Sequence, residues 1–169
     1  KKLYGGSLNQ LAHSFAKFGW KAVFVNADDP AEVAAAITDK TRAVFIESLA
    51  NPGGVVSDIK AIADVAHAAG VPLVVDNTMA TPMLCRPFEH GADIVVHSCT
   101  KFLNGHGNSV GGLIVDSGKF DWAASDKFPS LTAPNPSYHG AVLTDALAPL
   151  IPIAFIIGCR VLGLRDLGP

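Results

Sequence analysis

Short apolar runs alternate along this chain with longer stretches of helical spacing, and this alternation most constrains its fold. Five runs are continuously apolar and mostly β-branched: 22–25 (AVFV), 43–46 (AVFI), 73–75 (LVV), 94–96 (IVV) and 113–115 (LIV). Strands that are apolar on both faces are typical of a parallel sheet covered on both sides. The pattern therefore predicts an α/β fold with a mainly parallel sheet and helices on both faces.

Helices are predicted between and after these strands. The candidates are residues 8–18, residues 31–37 and residues 58–69. The last is the clearest, because Ser57 or Asp58 can cap its beginning and Gly70 can end it. A long helix is also expected from about Tyr138 towards Arg165, kinked at its prolines.

Composition excludes several classes of protein. A formal net charge of -2 and a pI of about 6.3 leave no basic surface for nucleic acid. The three cysteines (Cys85, Cys99 and Cys159) are far apart and odd in number, which favours a reduced, cytoplasmic protein. The longest apolar run, residues 146–159, contains two prolines and is shorter than the about 18–20 residues that span a membrane. We expect neither nucleic acid nor a membrane as partner.

Polar side chains follow three neighbouring strands of the predicted sheet, where open parallel sheets bind their ligands. They are Glu47 and Asn51 after the second run, Asp76, Asn77 and Thr78 after the third, and Ser98, Cys99, Thr100 and Lys101 after the fourth. One edge of the sheet thus collects a carboxylate, an amide, hydroxyls and an amine.

Asp76 and Lys101 are more informative as a pair than alone. An aspartate that ends a strand often caps a turn, and most lysines are solvated surface charges. The chain between them is long enough for a parallel crossover, so both can reach one pocket. Pyridoxal phosphate (PLP) needs an amine for its Schiff base and a carboxylate for its pyridine nitrogen. Ser98 and Thr100 offer hydroxyls for the phosphate, and Tyr4 can stack on the ring.

Five segments carry a family resemblance. They are 4–7 (YGGS), 47–52 (ESLANP), 74–82 (VVDNTMATP), 91–101 (GADIVVHSCTK) and 105–107 (GHG). With these segments in this order, the chain resembles the Cys/Met-metabolism PLP-dependent enzymes of fold type I. The resemblance implies that residues 1–169 are part of the PLP-binding large domain, incomplete at both ends. The family's N-terminal arm and C-terminal domain would then be absent.

The resemblance also implies a role for each matching residue. Lys101 binds PLP covalently and moves protons, Asp76 pairs with the pyridinium nitrogen, Ser98 and Thr100 bind phosphate, Tyr4 stacks on the ring and serves as an acid or base, and Asn51 lies near the phenolic oxygen. No metal is expected.

Three further segments are similar to those of the O-acetylhomoserine sulfhydrylases: 85–91 (CRPFEHG), 116–122 (DSGKFDW) and 136–140 (PSYHG). This similarity implies a transferase of methionine biosynthesis that converts O-acetylhomoserine and sulfide to homocysteine and acetate. The parent enzyme would be a homo-oligomer, a dimer or tetramer, and the 169-residue piece would be inactive alone. Cystathionine γ-synthase, cystathionine γ-lyase and methionine γ-lyase chemistry are alternatives, as is an inactive α/β interaction module.

Other motif interpretations are weaker. Residues 98–101 fit the S-x-x-K acylation motif, but that motif opens a helix and needs S-D-N and K-T-G companions, which are missing. Residues 105–112 are rich in glycine without dinucleotide-binding spacing. His97, Cys99 and His106 suggest packing or pocket-lining residues more than metal ligands.

Overall fold

The four-stranded sheet at the centre of this chain has the order β1-β2-β3-β4. A computed structural model describes residues 2–146 and 152–162. The strands are β1 (Val44–Glu47), β2 (Leu73–Asp76), β3 (Ile94–Ser98) and β4 (Gly112–Asp116). The first three pair in parallel, and β4 runs antiparallel to β3. The predicted mainly parallel sheet is confirmed, and four of the five predicted strands are present, β1 shifted by one residue and the other three lengthened by one or two residues.

Seven α-helices are found in the described residues: α1 (Gly5–Asn9), α2 (Pro30–Ala36), α3 (Ile59–Ala68), α4 (Thr81–Leu84), α5 (Pro129–Thr132), α6 (Leu143–Ala146) and α7 (Ala154–Leu162). The α1 helix is followed directly by a short π-helix, Gln10–Ser14, and a 3-10 turn, Phe15–Phe18. Further 3-10 turns are Pro87–His90 and Pro136–Tyr138. None of the helices in residues 2–146 and 152–162 has the length and apolarity to cross a membrane.

The α3 helix begins and ends as its sequence predicts. The Asp58 carboxylate accepts a hydrogen bond of 3.0 Å from Ala61 N, which satisfies one of the free N–H groups at the helix start. Gly70 follows the helix at a φ of 65°, a left-handed conformation that glycine adopts without a Cβ penalty. The helix buries Ile62 completely, which stabilises the fold by roughly 1.5–3 kcal/mol.

Residues pack against both faces of the sheet. One cluster joins α3 to Leu73, Val75 and Val95, and the other joins Ile94 to Trp122 and Leu131. Successive strand residues belong to different clusters, as the two-residue period of a strand requires. The Trp122 ring stacks on that of Phe155 of α7, with ring centroids 5.2 Å apart. Helices therefore cover both faces, and the predicted α/β class is confirmed.

The predicted strand at 22–25 is wrong. This segment forms neither helix nor strand, and it is not part of the β1-β2-β3-β4 ladder. Val25 and Ala27 pack at the margin of the core, whereas Val23 is 59% exposed. An apolar run indicates burial, but a strand also needs a neighbouring strand for its backbone hydrogen bonds.

The prediction of one long helix from Tyr138 is also wrong. His139 and Gly140 have φ of 55° and 83°, left-handed values that end the 3-10 turn. The turn is closed by an isolated bridge between Asn135 and Ala141. The described helices after it, α6 and α7, are separate elements, and Pro152 precedes the second. Residues 147–151 and 163–165 of the predicted helix lie outside the described residues.

Candidate functional site

Polar side chains lie where the three parallel strands end, an edge of the sheet that we name the carboxyl edge: Glu47 of β1, Asp76 of β2 and Ser98 of β3 with the loops that follow them. Glu47 pairs with Asp76, and Asp76 pairs with Val96, two residues before Ser98. Paired residues of parallel strands, and residues two apart on one strand, share a face. Glu47, Asp76 and Ser98 therefore lie on the same face of the sheet.

The Glu47 carboxylate joins two distant segments. Its side chain is buried, and Oε1 accepts a 2.6 Å hydrogen bond from Tyr4 N. Its Oε2 accepts a 2.9 Å bond from Asn51 N. The hydroxyl of Ser57 donates to the Glu47 carbonyl at 2.7 Å and fixes the strand end from the other side. Two of the predicted site residues, Tyr4 and Asn51, are thus brought to one point of the carboxyl edge.

The Tyr4 ring lies back over the first turn of α1. A Cβ built on Gly6 would lie 2.6 Å from Tyr4 Cε1, closer than real Cβ atoms approach other atoms. A Cβ on the neighbouring Gly5 would have no heavy atom within 4 Å. Tyr4 is 50% exposed. The glycine at position 6 therefore leaves the space that this aromatic ring occupies, and the ring keeps a free surface.

Thr78 connects the ends of β2 and β3. Asp76 Oδ1 accepts a 2.9 Å hydrogen bond from Thr78 N, a local turn that aspartate commonly makes two residues ahead. Ser98 N donates to Thr78 Oγ1 at 2.8 Å. Asp76 and Ser98, both half-buried, are held together by this one residue. Sequence reasoning included Thr78 among the polar residues of the edge but gave it no role.

Lys101 lies in the turn after β3. Its backbone N–H donates to the Ser98 carbonyl at 3.2 Å, and its carbonyl accepts from Gly105 N at 2.9 Å. The Lys101 side chain is exposed, so its amine is accessible. The Thr100 hydroxyl accepts from Gly111 N at 3.1 Å and donates to the Gly111 carbonyl at 3.3 Å. Thr100 thus ties the turn to the start of β4, and its binding of phosphate stays a prediction.

His97 lies on the opposite face of β3 from Ser98. It is buried, and its Nδ1 has no hydrogen-bond partner among the described residues. Burial lowers the pKa of His97, an effect that the negative charge of Asp76 and the backbone of Asn77 partly offset. No group of three or more His, Cys, Asp or Glu side chains in residues 2–146 and 152–162 is placed to hold a metal ion.

The carboxyl edge therefore presents an accessible amine, a carboxylate, two hydroxyls and a half-exposed aromatic ring. Residues 1–164 match the profile of the Cys/Met metabolism PLP-dependent enzymes. The chain belongs to this family. Membership confirms the resemblance of its motifs, the PLP-dependent class and the fold type I architecture, which the sequence predicted.

Two curated relatives match over almost the whole of this chain. The chain is 51% identical over 172 residues to an O-acetyl-L-homoserine sulfhydrylase of Leptospira meyeri, covering 99% of this chain and 39% of that protein. It is 50% identical over 168 residues to a homocysteine synthase of Schizosaccharomyces pombe, covering 98% of this chain and 38% of the relative. The chain thus spans about two fifths of the length of these relatives.

A solved structure matches over almost the whole chain. It is an O-acetylhomoserine (thiol)-lyase from Campylobacter jejuni, 35% identical, with a TM-score of 0.91 over 99% of this chain and 41% of the other. That protein carries a pyridoxyl group on a lysine. The carboxyl edge here fits such a group, because Tyr4 keeps a free ring surface over Gly6 and because Asp76 and Ser98 share one face of the sheet.

Proposed function

We propose that the protein to which these residues belong is a PLP-dependent O-acetylhomoserine sulfhydrylase, which converts O-acetylhomoserine and sulfide to homocysteine and acetate. The observation that carries the proposal is the accessible Lys101 amine beside a carboxyl edge that holds Asp76 and Ser98 on one face. The names of relatives that are about half identical support the choice of substrate.

Six residues of this chain would hold the cofactor and serve the reaction. Lys101 Nζ would make the covalent link and would take up and return substrate protons, and the Asp76 carboxylate would pair with the ring nitrogen. Ser98 and Thr100 would bind the phosphate, and Thr100 would give up its bonds to Gly111 to do so. When bound, PLP supplies an electron sink that eases loss of the α-proton and departure of the γ-substituent.

The Tyr4 ring would stack on the cofactor, and Asn51 would lie near its phenolic oxygen. Tyr4 Oη stands as a second acid or base at the same site. These assignments rest on the family motifs and on the common face of the carboxyl edge.

We further propose that residues 1–169 are the central part of the large domain. Segments outside them would complete the phosphate site and bind the substrate carboxylate, in a cytoplasmic homo-oligomer that is a dimer or a tetramer. The share of each relative that the chain covers, about two fifths, supports this assignment.

The test uses the full-length protein with PLP. We expect a visible absorbance band, and borohydride reduction followed by tryptic mapping should find the label on Lys101. Lys101→Ala should lose the label and about a thousandfold or more in turnover. Lys119→Ala, an exposed lysine after β4 at the opposite edge, should retain both.

Each outcome decides between candidates. Homocysteine made from O-acetylhomoserine and sulfide supports the proposal. Cystathionine made from cysteine, or keto acid released without a nucleophile, would assign one of the alternative reactions of the family. A label on another lysine would overturn the assignment of Lys101.

A further inference from the structure

Two of the proposed cofactor residues, Tyr4 and Asn51, lie on loops that are both hydrogen-bonded to Glu47. Tyr4 precedes α1 and is forty-three residues from Glu47 in sequence. Asn51 follows β1 and is four residues from Glu47. Both donate their backbone N–H to the Glu47 carboxylate, one to each oxygen. The positions of the Tyr4 ring and the Asn51 amide therefore depend on one side chain.

The backbone of Glu47 is held in place by the sheet. Glu47 is the last residue of β1 and pairs with Asp76 of β2. The Ser57 hydroxyl donates to its carbonyl, and the next residue, Ser48, donates its N–H to the Asp76 carbonyl at 2.9 Å. The acceptor is thus part of the sheet, while both donors belong to loops. The Glu47 carboxylate therefore positions the two loops relative to the sheet.

A carboxylate suits this task better than its amide. An ionised carboxylate only accepts hydrogen bonds, so each of its oxygens can receive one backbone N–H. A glutamine offers one accepting oxygen and one donating nitrogen, so one of the two N–H groups would face another donor. Glu47 is 5% exposed, and water cannot easily replace the lost acceptor.

We propose that Glu47 is a positioning residue of the cofactor site: its two carboxylate oxygens fix the backbone of Tyr4 and of Asn51, and thereby the groups that both residues direct at PLP. The inference rests on the proposed function, because it takes Tyr4 and Asn51 as cofactor residues. Glu47 acts through them and is not itself a catalytic residue.

Asp93 offers a matched control within the same chain. Asp93 is also 5% exposed, and one of its carboxylate oxygens, Oδ2, accepts two hydrogen bonds, from Leu73 N and from His67 Nε2, each at 2.8 Å. Leu73 begins β2, so Asp93 lies at the opposite edge of the sheet. A variant at Asp93 therefore measures what the loss of a buried carboxylate charge does to stability away from the carboxyl edge.

The experiment compares Glu47→Gln and Asp93→Asn in the full-length holoenzyme. The measurements are the melting temperature, the dissociation constant of PLP and hydrogen exchange at the Tyr4 and Asn51 amides in the apoenzyme. We expect both variants to melt lower. Only Glu47→Gln should bind PLP roughly tenfold more weakly, the factor expected for one unsatisfied buried N–H. It should also exchange the two amides faster.

A second variant covers the case in which Glu47→Gln does not fold. Glu47→Asp keeps both accepting oxygens and the charge but withdraws them by one carbon, so PLP binding should again weaken. Wild-type PLP affinity in the Glu47 variants, or an equal loss of affinity in Asp93→Asn, would overturn the proposal. If the wild-type enzyme itself bound no PLP, the proposed function would fall, and this inference with it. If it bound PLP and formed homocysteine, only the positioning role would be at stake.

Discussion

Glu47 and Asp93 are both 5% exposed, and each carboxylate accepts two hydrogen bonds, yet their partners differ in kind. The Asp93 partners belong to regular elements, His67 to α3 and Leu73 to β2. The Glu47 partners belong to loops that carry proposed cofactor residues. Asp93 therefore stabilises the packing of α3 beside β2, whereas Glu47 positions the loops at the carboxyl edge.

The burial of a carboxylate and the number of hydrogen bonds that it accepts do not by themselves distinguish a stabilising role from a functional one. Both groups would strongly destabilise the fold if their partners were left unsatisfied, because a buried polar group without a partner loses its hydration without replacement. What separates them is the chemistry that their partners carry. Variants at the two edges should therefore separate activity from stability.

After Lys101, the largest loss of turnover is expected at Asp76, which we compare with Asp116 at the other edge. Each carboxylate accepts a 2.9 Å bond from the backbone N–H two residues ahead, Thr78 for Asp76 and Gly118 for Asp116. Asparagine can keep this bond in both places. Asp76→Asn should lower turnover by about a hundredfold, since the proposed charge at the ring nitrogen is lost, while the melting temperature changes little.

Asp116→Asn should leave turnover unchanged. Burial raises the pKa of Asp116, so the substitution removes a charge that its surroundings disfavour, and we expect no loss of stability. Steady-state kinetics and thermal melting of both variants make the comparison. Equal losses of turnover would mean that the two edges do not differ in function.

A smaller effect is expected from the glycines of the first turn of α1. Gly6→Ala brings a Cβ to 2.6 Å from the Tyr4 ring and should displace it, weakening PLP binding several-fold. Gly5→Ala meets no atom within 4 Å and gains the same helix propensity, at most about 1 kcal/mol per residue. Fluorescence titration with PLP distinguishes the two variants. Similar affinities would contradict the position of the ring.

The smallest effect is a dependence of stability on pH through His97. Burial lowers the pKa of this ring below its ordinary value of 6.5. Above that value both the folded and the unfolded state hold the neutral ring. As pH falls below it, the unfolded state takes up the proton first, and folding free energy is lost until the lowered pKa is reached.

Melting curves at about pH 7.5 and about pH 5.5 test this. The wild-type protein should lose more stability on acidification than His97→Gln, which cannot take up the proton. An equal loss in the two proteins would show that His97 does not govern the acid response.

Sequence reasoning found the elements whose signals are local. The runs at 43–46, 73–75, 94–96 and 113–115 form strands, as predicted. The α3 helix begins after Asp58 and ends before Gly70, also as predicted. The predictions were wrong where contacts with residues elsewhere in the chain decide the secondary structure. Residues 22–25 are apolar without entering the ladder, and the bridge between Asn135 and Ala141 replaces the first turn of the expected helix.

The candidate site divides in the same way. The set of groups at the carboxyl edge could be predicted from the sequence, because its periodicity and motifs give the order of strand, polar residue and crossover. How these groups are held depends on the folded chain: Thr78 joins Asp76 to Ser98, and Glu47 joins Tyr4 to Asn51. Hydrogen bonds between residues up to forty-three positions apart have no periodic signature, because they form only after packing brings the segments together.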